Sequence, residues 1–534
     1  MRNLTLALLI STSLLVSALS EFGFCQTTSK KQNLHELQFR EIHVDVSRVK
    51  GTIRSFQGVN GTPTPIMEDL PDVTQQYKDL RIDMVRTHDT MGPTDVDAYY
   101  STDNLLLAWL VPDAGRRAKL VAAGNKAAIF PDWNADPEKP ESYNFGPSDK
   151  FVNGIRDAGA EVYYRIGRSW GADYMALPAV DKFASVVKHV AMHYNRGWAG
   201  GFQDNIRYWE FWNEPETPLF WMESPETFYQ FYQETARALK SVDPTLKVGA
   251  DAKALAYADG PYREGLINYC AEHKVPLDFY SWHHYTMTSA DPYDFTRIAS
   301  DIRQLLDDNG FRKSESILSE WNLTPDFTEP ERPRLQGVEN AAFMGDVLTY
   351  LQDSSVDRAH FYRADGAWMG LFGAHGEYLK PAFTFLATGK MLATPQRLEA
   401  SGADADGFAV LAGRSGDGKT VQVLISNYEI PANYKPRPMN VPEGSMPKGM
   451  PMPDFSKMRS LPARTNIRYQ QSRGYHLIVD HLPWGRGAFK VQRYRLTRTE
   501  DFALVQDSSG NGGTLDIANP LPPPGLELIV LQSK

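Results

Sequence analysis

Hydrophobic and polar positions follow two alternating patterns between residues 51 and 390. Short apolar runs alternate with longer segments, such as 224–242 and 295–310, whose apolar residues recur at the spacing of an amphipathic helix. Strands that alternate with helices predict parallel βαβ units, and eight such units predict a (β/α)8 TIM barrel, an α/β fold. The eight predicted strands are Ile53–Asn60, Ile82–His88, Glu161–Gly167, Arg207–Asn213, Lys247–Asp251, Asp278–His283, Ser316–Glu320 and Ala359–Arg363.

The pattern changes after about residue 395, where helical periodicity ends. β-type runs separated by Gly, Asp and Asn then predict an accessory antiparallel β-sandwich over residues 395–534. The alternating segment at 35–48 is expected to add a strand to this sandwich. The predicted domains are therefore a catalytic barrel at 51–390 and the sandwich. A long connection at 91–148 follows the second barrel strand, and such loops usually serve the active face.

The N-terminus has the pattern of a targeting segment. One Arg precedes the apolar run Leu4–Leu19, and Ala18 and Ser20 fit the small residues of a cleavage site. A membrane anchor is the alternative, but the run is short for a spanning helix. We therefore expect residues 1–25 to be a cleaved signal peptide, which predicts a secreted or periplasmic protein without a membrane span after cleavage.

Composition narrows the class of protein further. The 534 residues carry 56 Lys and Arg against 65 Asp and Glu, a net charge of −9, which lacks the basic footprint of a nucleic-acid-binding protein. Two cysteines are too few for a disulfide network or a cysteine metal site. No phosphate loop, serine elbow or dinucleotide fingerprint stands in a convincing context. We therefore expect neither cofactor nor metal, while an aromatic content of 12% offers faces for stacking on a ligand.

Two glutamates stand where barrel enzymes place their chemistry, at the carboxyl ends of strands. Glu214 follows the aromatic strand of RYWEFWNEPE (207–216), where Pro215 stops the strand, and Glu320 ends the apolar strand of SESILSEWNLT (314–324). The 106 positions between them span three βα units, which assigns them to strands four and seven. Glycosidic bond cleavage needs one protonated and one ionised carboxyl group. Burial among aromatic residues raises a carboxyl pKa, so Glu214 suits the proton donor.

Three short motifs carry a resemblance to a known family: WNEP (212–215), SEWN (319–322) and DFYSWHHY (278–285). They resemble glycoside hydrolase family 39, whose members include β-xylosidases and α-L-iduronidases. The longer stretches at 143–167 and 246–252 are similar to the same family, so the resemblance extends over most of residues 50–390, and the trailing sandwich resembles its accessory domain.

The resemblance implies roles for five residues. The family belongs to the retaining barrel glycosidases, with the acid/base on strand four and the nucleophile on strand seven. By this resemblance Glu214 is the acid/base and Glu320 the nucleophile. Asn213 is expected to bind the sugar 2-hydroxyl. His283 and Tyr285 match the family's His-x-Tyr after strand six, where the Tyr orients the nucleophile.

Further candidates for substrate binding stand near strand ends. Arg86 and His88 either line the pocket or form a structural ion pair and a core histidine. Arg168 and Arg363 suit a bidentate clamp on a uronic acid if either faces the pocket. Trp321 stacks on a sugar ring or packs in the core. The same choice applies to Trp170, Trp282 and Trp368.

The leading hypothesis is a secreted retaining glycoside hydrolase, exo-acting and β-xylosidase-like, that acts on oligo- or polysaccharides through a covalent intermediate. A uronic-acid-directed, iduronidase-like glycosidase is the alternative. A non-catalytic carbohydrate-binding protein and a transglycosidase with the same residues are further alternatives. The sequence leaves the sugar, its anomeric configuration, exo or endo action and the oligomeric state open.

Overall fold

The computed structural model describes residues 39–65, 67, 70–173, 175–286, 290–326, 331–366, 369–434, 461–469 and 472–534. The predicted signal peptide at 1–25 and the candidate Trp368 lie outside the described residues. Within these ranges, no helix has both the length and the apolar character that crossing a membrane requires.

Eight parallel strands close into a barrel in chain order, which confirms the predicted TIM barrel. Each predicted strand contains or overlaps an observed one, although the first two are shorter than expected. With β1 (Phe39–Thr52) outside the barrel, its strands are β2 (Gly58–Asn60), β3 (Met84–Arg86), β4 (Glu161–Ile166), β5 (Tyr208–Phe211), β6 (Lys247–Lys253), β7 (Phe279–Tyr285), β8 (Glu315–Asn322) and β9 (Arg358–Phe361).

Helices surround the barrel, and local sequence signals set the ends of the longest ones. In the predicted 224–242 segment, the Ser224 hydroxyl accepts from the Thr227 N–H and caps the helix. The helix predicted at 295–310 ends before Gly310, whose φ of +85° suits a residue without Cβ. The helices are α1 (Thr74–Asp79), α2 (Leu105–Leu110), α3 (Ala114–Gly124), α4 (Gly146–Asp157), α5 (Val180–Arg196), α6 (Pro225–Val242), α7 (Leu266–His273), α8 (Asp294–Asp308), α9 (Arg332–Leu335), α10 (Val338–Tyr350) and α11 (Lys380–Met391).

The C-terminal strands and β1 form a single nine-stranded sheet, in which hydrogen bonds join each strand to its neighbour. Neighbouring strands are antiparallel except β1 and β13, which run parallel. In spatial order the sheet reads β15-β14-β17-β12-β11-β10-β1-β13-β16. The strands are β10 (Gln396–Ser401), β11 (Phe408–Arg414), β12 (Thr420–Asn427), β13 (Gly474–Asp480), β14 (Ala488–Leu496), β15 (Ala503–Asn511), β16 (Leu515–Pro520) and β17 (Gly525–Ser533).

Two helices of the barrel attach this sheet. Val338 and Ala341 of α10 and Met391 of α11 share a buried apolar cluster with Leu424 of β12 and Leu526 of β17. The other face of the sheet has a separate apolar core of its own. Strand alternation therefore gives the sheet two buried faces, one closing its own core and one packed on the barrel.

Candidate active site

The carboxyl ends of β3, β5, β7 and β8 bring the predicted site residues together. Since all barrel strands are parallel, their carboxyl ends lie at one edge of the barrel. Arg86 is the last residue of β3, and Glu214 follows β5 after a sharp turn in which Trp212 has a φ of +69°. His283 lies on β7 and Glu320 on β8. Residues distant in sequence thus share one pocket.

The two glutamates are close enough to act on the same bond. One oxygen of Glu214, one oxygen of Glu320 and a ring nitrogen of His283 all lie within 4.8 Å of one another. His283 Nδ1 is 2.8 Å from Glu214 Oε1 and 3.4 Å from Glu320 Oε2. The Glu214 side chain is 19% exposed and that of Glu320 only 6%. Glu214 therefore lies at the more open side of the pair.

Glu320 is held by hydrogen bonds to both oxygens. Arg86 Nη1 donates to Oε1 at 2.7 Å, and the Tyr285 hydroxyl donates to Oε2 at 2.8 Å. His88 Nε2 lies 3.4 Å from the same Oε1. Tyr285 thus contacts Glu320 as the predicted role requires. Arg86 and His88 lie beside Glu320, and their contact with substrate stays a prediction.

The electrostatics of the pair differ between its members. Burial raises the pKa of Glu214 well above its usual range, and the negative charge of Glu320 raises it further. Burial also raises the pKa of Glu320, to about 7, but the guanidinium of Arg86 and the Tyr285 hydroxyl oppose the increase. As pH rises, Glu320 therefore ionises first while Glu214 keeps its proton.

The two pocket histidines are neutral. Burial, reinforced by the charge of Arg86, lowers the pKa of both His88 and His283 well below the usual histidine range. A neutral imidazole carries one N–H donor and one acceptor nitrogen. His283 can therefore donate one proton towards Glu214 without adding a second positive charge to the pocket.

Arg86 connects more of the site than the sequence predicts. Its side chain is fully buried, and Nε donates to Glu210 Oε2 at 2.5 Å. Nη1 also donates to Asn60 Oδ1, and Nη2 donates to Asn213 Oδ1 at 2.8 Å. The contact fixes the Asn213 carbonyl towards Arg86. The predicted contact of Asn213 with a sugar 2-hydroxyl stays a prediction.

Sequence reasoning missed Glu210 and Asp89. Glu210 lies on β5 among aromatic residues. A single charged residue within an apolar strand is the sequence feature that could have identified it. Asp89 follows β3 with a φ of +53°, accepts a hydrogen bond from the Tyr362 hydroxyl at 2.6 Å and lies 3.4 Å from His88. Glu210 contacts Arg86 and Asp89 lies beside His88, so each touches a neighbour of Glu320.

Arg168 and Arg363 do not present the open clamp expected of them. Arg168 donates through Nε and Nη2 to both oxygens of Asp97, each at 2.8 Å. Arg363 forms the same two-pronged contact with Asp365, with Nε 2.7 Å from Oδ1 and Nη2 bonded to Oδ2. The Nε/Nη2 edge of each guanidinium therefore already holds a carboxylate, and a uronic-acid clamp by these arginines stays a prediction without support from this geometry.

The prediction that Trp321 binds substrate is wrong. Successive residues of a strand point to opposite faces, so Trp321 points outward when Glu320 points into the pocket. Trp321 is fully buried, with its ring centroid 5.8 Å from that of Phe295 on α8 and 5.2 Å from that of Phe361 on β9. Trp209, Trp212 and Trp282 are buried in the same way.

One described group of side chains has the composition of a metal site, and it is the pair of glutamates with His283 itself. Arg86 already supplies a positive charge to Glu320 at 2.7 Å. The carboxylate charge is thus compensated by the chain, and the expectation of no metal stays a prediction.

Part of the chain is similar in sequence to known glycosidases. Residues 164–361 match the sequence model described as Glycosyl hydrolases family 39. A β-xylosidase of Geobacillus stearothermophilus is 24% identical over 252 residues, which cover 41% of this chain and 48% of that protein. The match thus spans about half the length of this curated relative.

Solved structures extend the likeness to nearly the whole chain. A glucosidase from Croceicoccus marinus is 32% identical with a TM-score of 0.79, covering 93% of this chain and 99% of that one. A monomeric β-xylosidase from Caulobacter crescentus has a TM-score of 0.64 at 16% identity, covering 92% of this chain and 99% of that one. The second likeness concerns the fold alone.

Proposed function

The chain belongs to glycoside hydrolase family 39, and on that premise we propose that it is a retaining glycoside hydrolase. Glu320 attacks the anomeric carbon while Glu214 protonates the leaving oxygen, and Glu214 then accepts a proton from the water that hydrolyses the glycosyl-enzyme. The separation of the carboxylates carries the proposal. One oxygen of Glu214 and one of Glu320 lie within 4.8 Å of each other, which is compatible with the roughly 5–5.5 Å between the carboxyl groups of retaining enzymes.

The protonation states support the same division of roles. Glu214 keeps its proton at a pH where Glu320 is already ionised, because Arg86 and Tyr285 donate hydrogen bonds to the Glu320 carboxylate. A proton donor opposite an anionic nucleophile is the state from which a retaining mechanism starts.

A neutral terminal sugar is the proposed substrate, with exo action and a β-xyloside or β-glucoside as the leading candidates. Arg168 and Arg363 each hold their own aspartate, so the described pocket favours an uncharged ring over a uronic acid. The Geobacillus relative is named a β-xylosidase and the Croceicoccus relative a glucosidase. The predicted leader at 1–25 adds the proposal that the enzyme is exported.

A screen of aryl glycosides tests the proposal. We expect hydrolysis of aryl β-xyloside or β-glucoside, with the first product in the β configuration when proton NMR is recorded before mutarotation. The Glu320→Gln variant serves as the blank, because a neutral amide cannot form the glycosyl-enzyme. Initial release of the α anomer would contradict retention, and turnover confined to glucuronides or iduronides would contradict the neutral-sugar proposal.

A further inference from the structure

Glu210 is a buried carboxylate beneath the reacting pair. It lies on β5, four positions before Glu214, and its side chain is 0% exposed. Oε2 accepts from Arg86 Nε at 2.5 Å, and Oε1 accepts from the Tyr163 hydroxyl at 3.0 Å. Both oxygens are therefore engaged, and no substrate atom reaches them.

Arg86 joins this buried carboxylate to the nucleophile. Its guanidinium contacts Glu210 through Nε and Glu320 through Nη1, so one cation lies between two carboxylates. An arginine does not lose its proton inside a protein, and a buried charge without a partner is strongly unfavourable. The positive charge of Arg86 must therefore be compensated in every state of the reaction.

The reaction changes only one of the two carboxylates. In the first step an oxygen of Glu320 forms a bond to the anomeric carbon as the bond to the leaving oxygen breaks, and the Glu214 proton moves to that oxygen. Glu320 becomes an ester and loses its negative charge, while Arg86 remains charged. Glu210 is then the carboxylate that stays in contact with the guanidinium.

We propose that Glu210 is a positioning residue that acts as the permanent counter-ion of Arg86 and so allows Glu320 to leave its ion pair and attack the sugar. The inference rests on the function proposed above. Without the charge of Glu210, Arg86 would bind the ionised Glu320 more tightly before attack and would lie uncompensated after it. Both effects oppose formation of the glycosyl-enzyme and favour its breakdown.

The Glu210→Gln variant tests this role, with Glu527→Gln as a matched control. Glu527 is fully buried in the C-terminal sheet, where it accepts from Arg493 Nε at 2.5 Å and from the Tyr475 hydroxyl at 2.5 Å. The two variants remove the same charge from the same kind of cluster, one at the site and one in the sheet. Steady-state kinetics on the aryl glycoside that the wild type cleaves are recorded for both across pH.

For Glu210→Gln we expect kcat/KM, which reports the first step, to fall roughly 10- to 100-fold, the loss typical when a partner that orients a metal ligand is removed. The acidic limb of its pH profile moves to lower pH, because loss of a nearby anion makes Glu320 easier to ionise. Breakdown of the glycosyl-enzyme is not slowed. Glu527→Gln keeps the wild-type kcat/KM and the wild-type limb.

A second variant separates charge from folding. Glu210→Asp keeps the carboxylate but withdraws it from Arg86 Nε by one methylene, so a smaller shift of the acidic limb in the same direction is expected. An unshifted limb in either soluble Glu210 variant would overturn the inference while leaving the glycosidase proposal intact. A wild-type protein inactive on every glycoside tested would instead contradict the proposed function.

Discussion

The barrel and the C-terminal sheet each contain a buried cluster of one arginine, one glutamate and one tyrosine. In the sheet, Arg493 gives Nε and Nη2 to the two oxygens of Glu527, and Nη1 donates to Gln506 at 2.9 Å. In the barrel, Arg86 gives only Nε to Glu210 and directs Nη1 to a second carboxylate, that of Glu320.

This difference separates a structural cluster from a chemical one. A guanidinium that uses its bidentate face on one buried carboxylate has a closed arrangement, which suits stability. A guanidinium that bridges Glu210 and Glu320 couples a fixed charge to one that reacts. The residue types alone therefore do not identify the site; the way in which the arginine divides its donors does.

The largest expected effect concerns the proton donor, which the barrel cluster has nearby and the sheet cluster lacks. Glu214→Ala should lower kcat/KM about 10²- to 10⁴-fold on alkyl glycosides, whose leaving groups need general-acid help. Aryl glycosides with activated leaving groups should lose far less. The control is Glu226→Ala, which removes an exposed glutamate from the first turn of α6. Equal losses on both substrate types would remove Glu214 from the acid role.

An intermediate effect is expected when the two arginines are exchanged for lysine. Arg86→Lys keeps the charge but loses the fork that reaches Glu210, Glu320 and Asn213, so kcat/KM should fall about 10²- to 10³-fold. Arg493→Lys should leave kcat/KM unchanged and lower the free energy of unfolding by about 1.5–3 kcal/mol, the loss of one charged hydrogen bond. Kinetics measure the first outcome and urea unfolding the second. An activity loss in Arg493→Lys would contradict the distinction between a chemical cluster in the barrel and a structural one in the sheet.

The smallest effect is the pH dependence of the intact enzyme. As pH rises through about 7, Glu320 loses its proton and kcat/KM should increase; at higher pH Glu214 loses its proton and kcat/KM should decrease. The two limbs belong to the coupled pair. Because the pKa of Glu320 is raised on folding, its stabilising contribution is present at low pH and decreases as pH approaches about 7. A flat profile between pH 6 and pH 8 would contradict this order of ionisation.

The barrel was predictable because its evidence is local and repeated. Each βα unit carries a short apolar run and a segment of helical periodicity, and the closed barrel confirms the eight-unit reading. The strand ends then place Glu214 and Glu320 at the same edge. The order of strands in the sheet was less predictable, although the 35–48 segment was expected to join it. Pairing of β1 with β13 joins residues more than 400 positions apart and leaves no mark on local spacing.

The sequence alone determined that two glutamates would meet near strand ends, since parallel topology follows from periodicity. Tertiary structure decided which charges are free to act. Arg168, Arg363 and Trp321 look like binding residues in sequence, yet the first two hold their own aspartates and the third packs between strand and helix. The role proposed for Glu210 rests on its contact with Arg86, which only the structure shows. Charge compensation depends on distances between strands, and those arise only when the barrel closes.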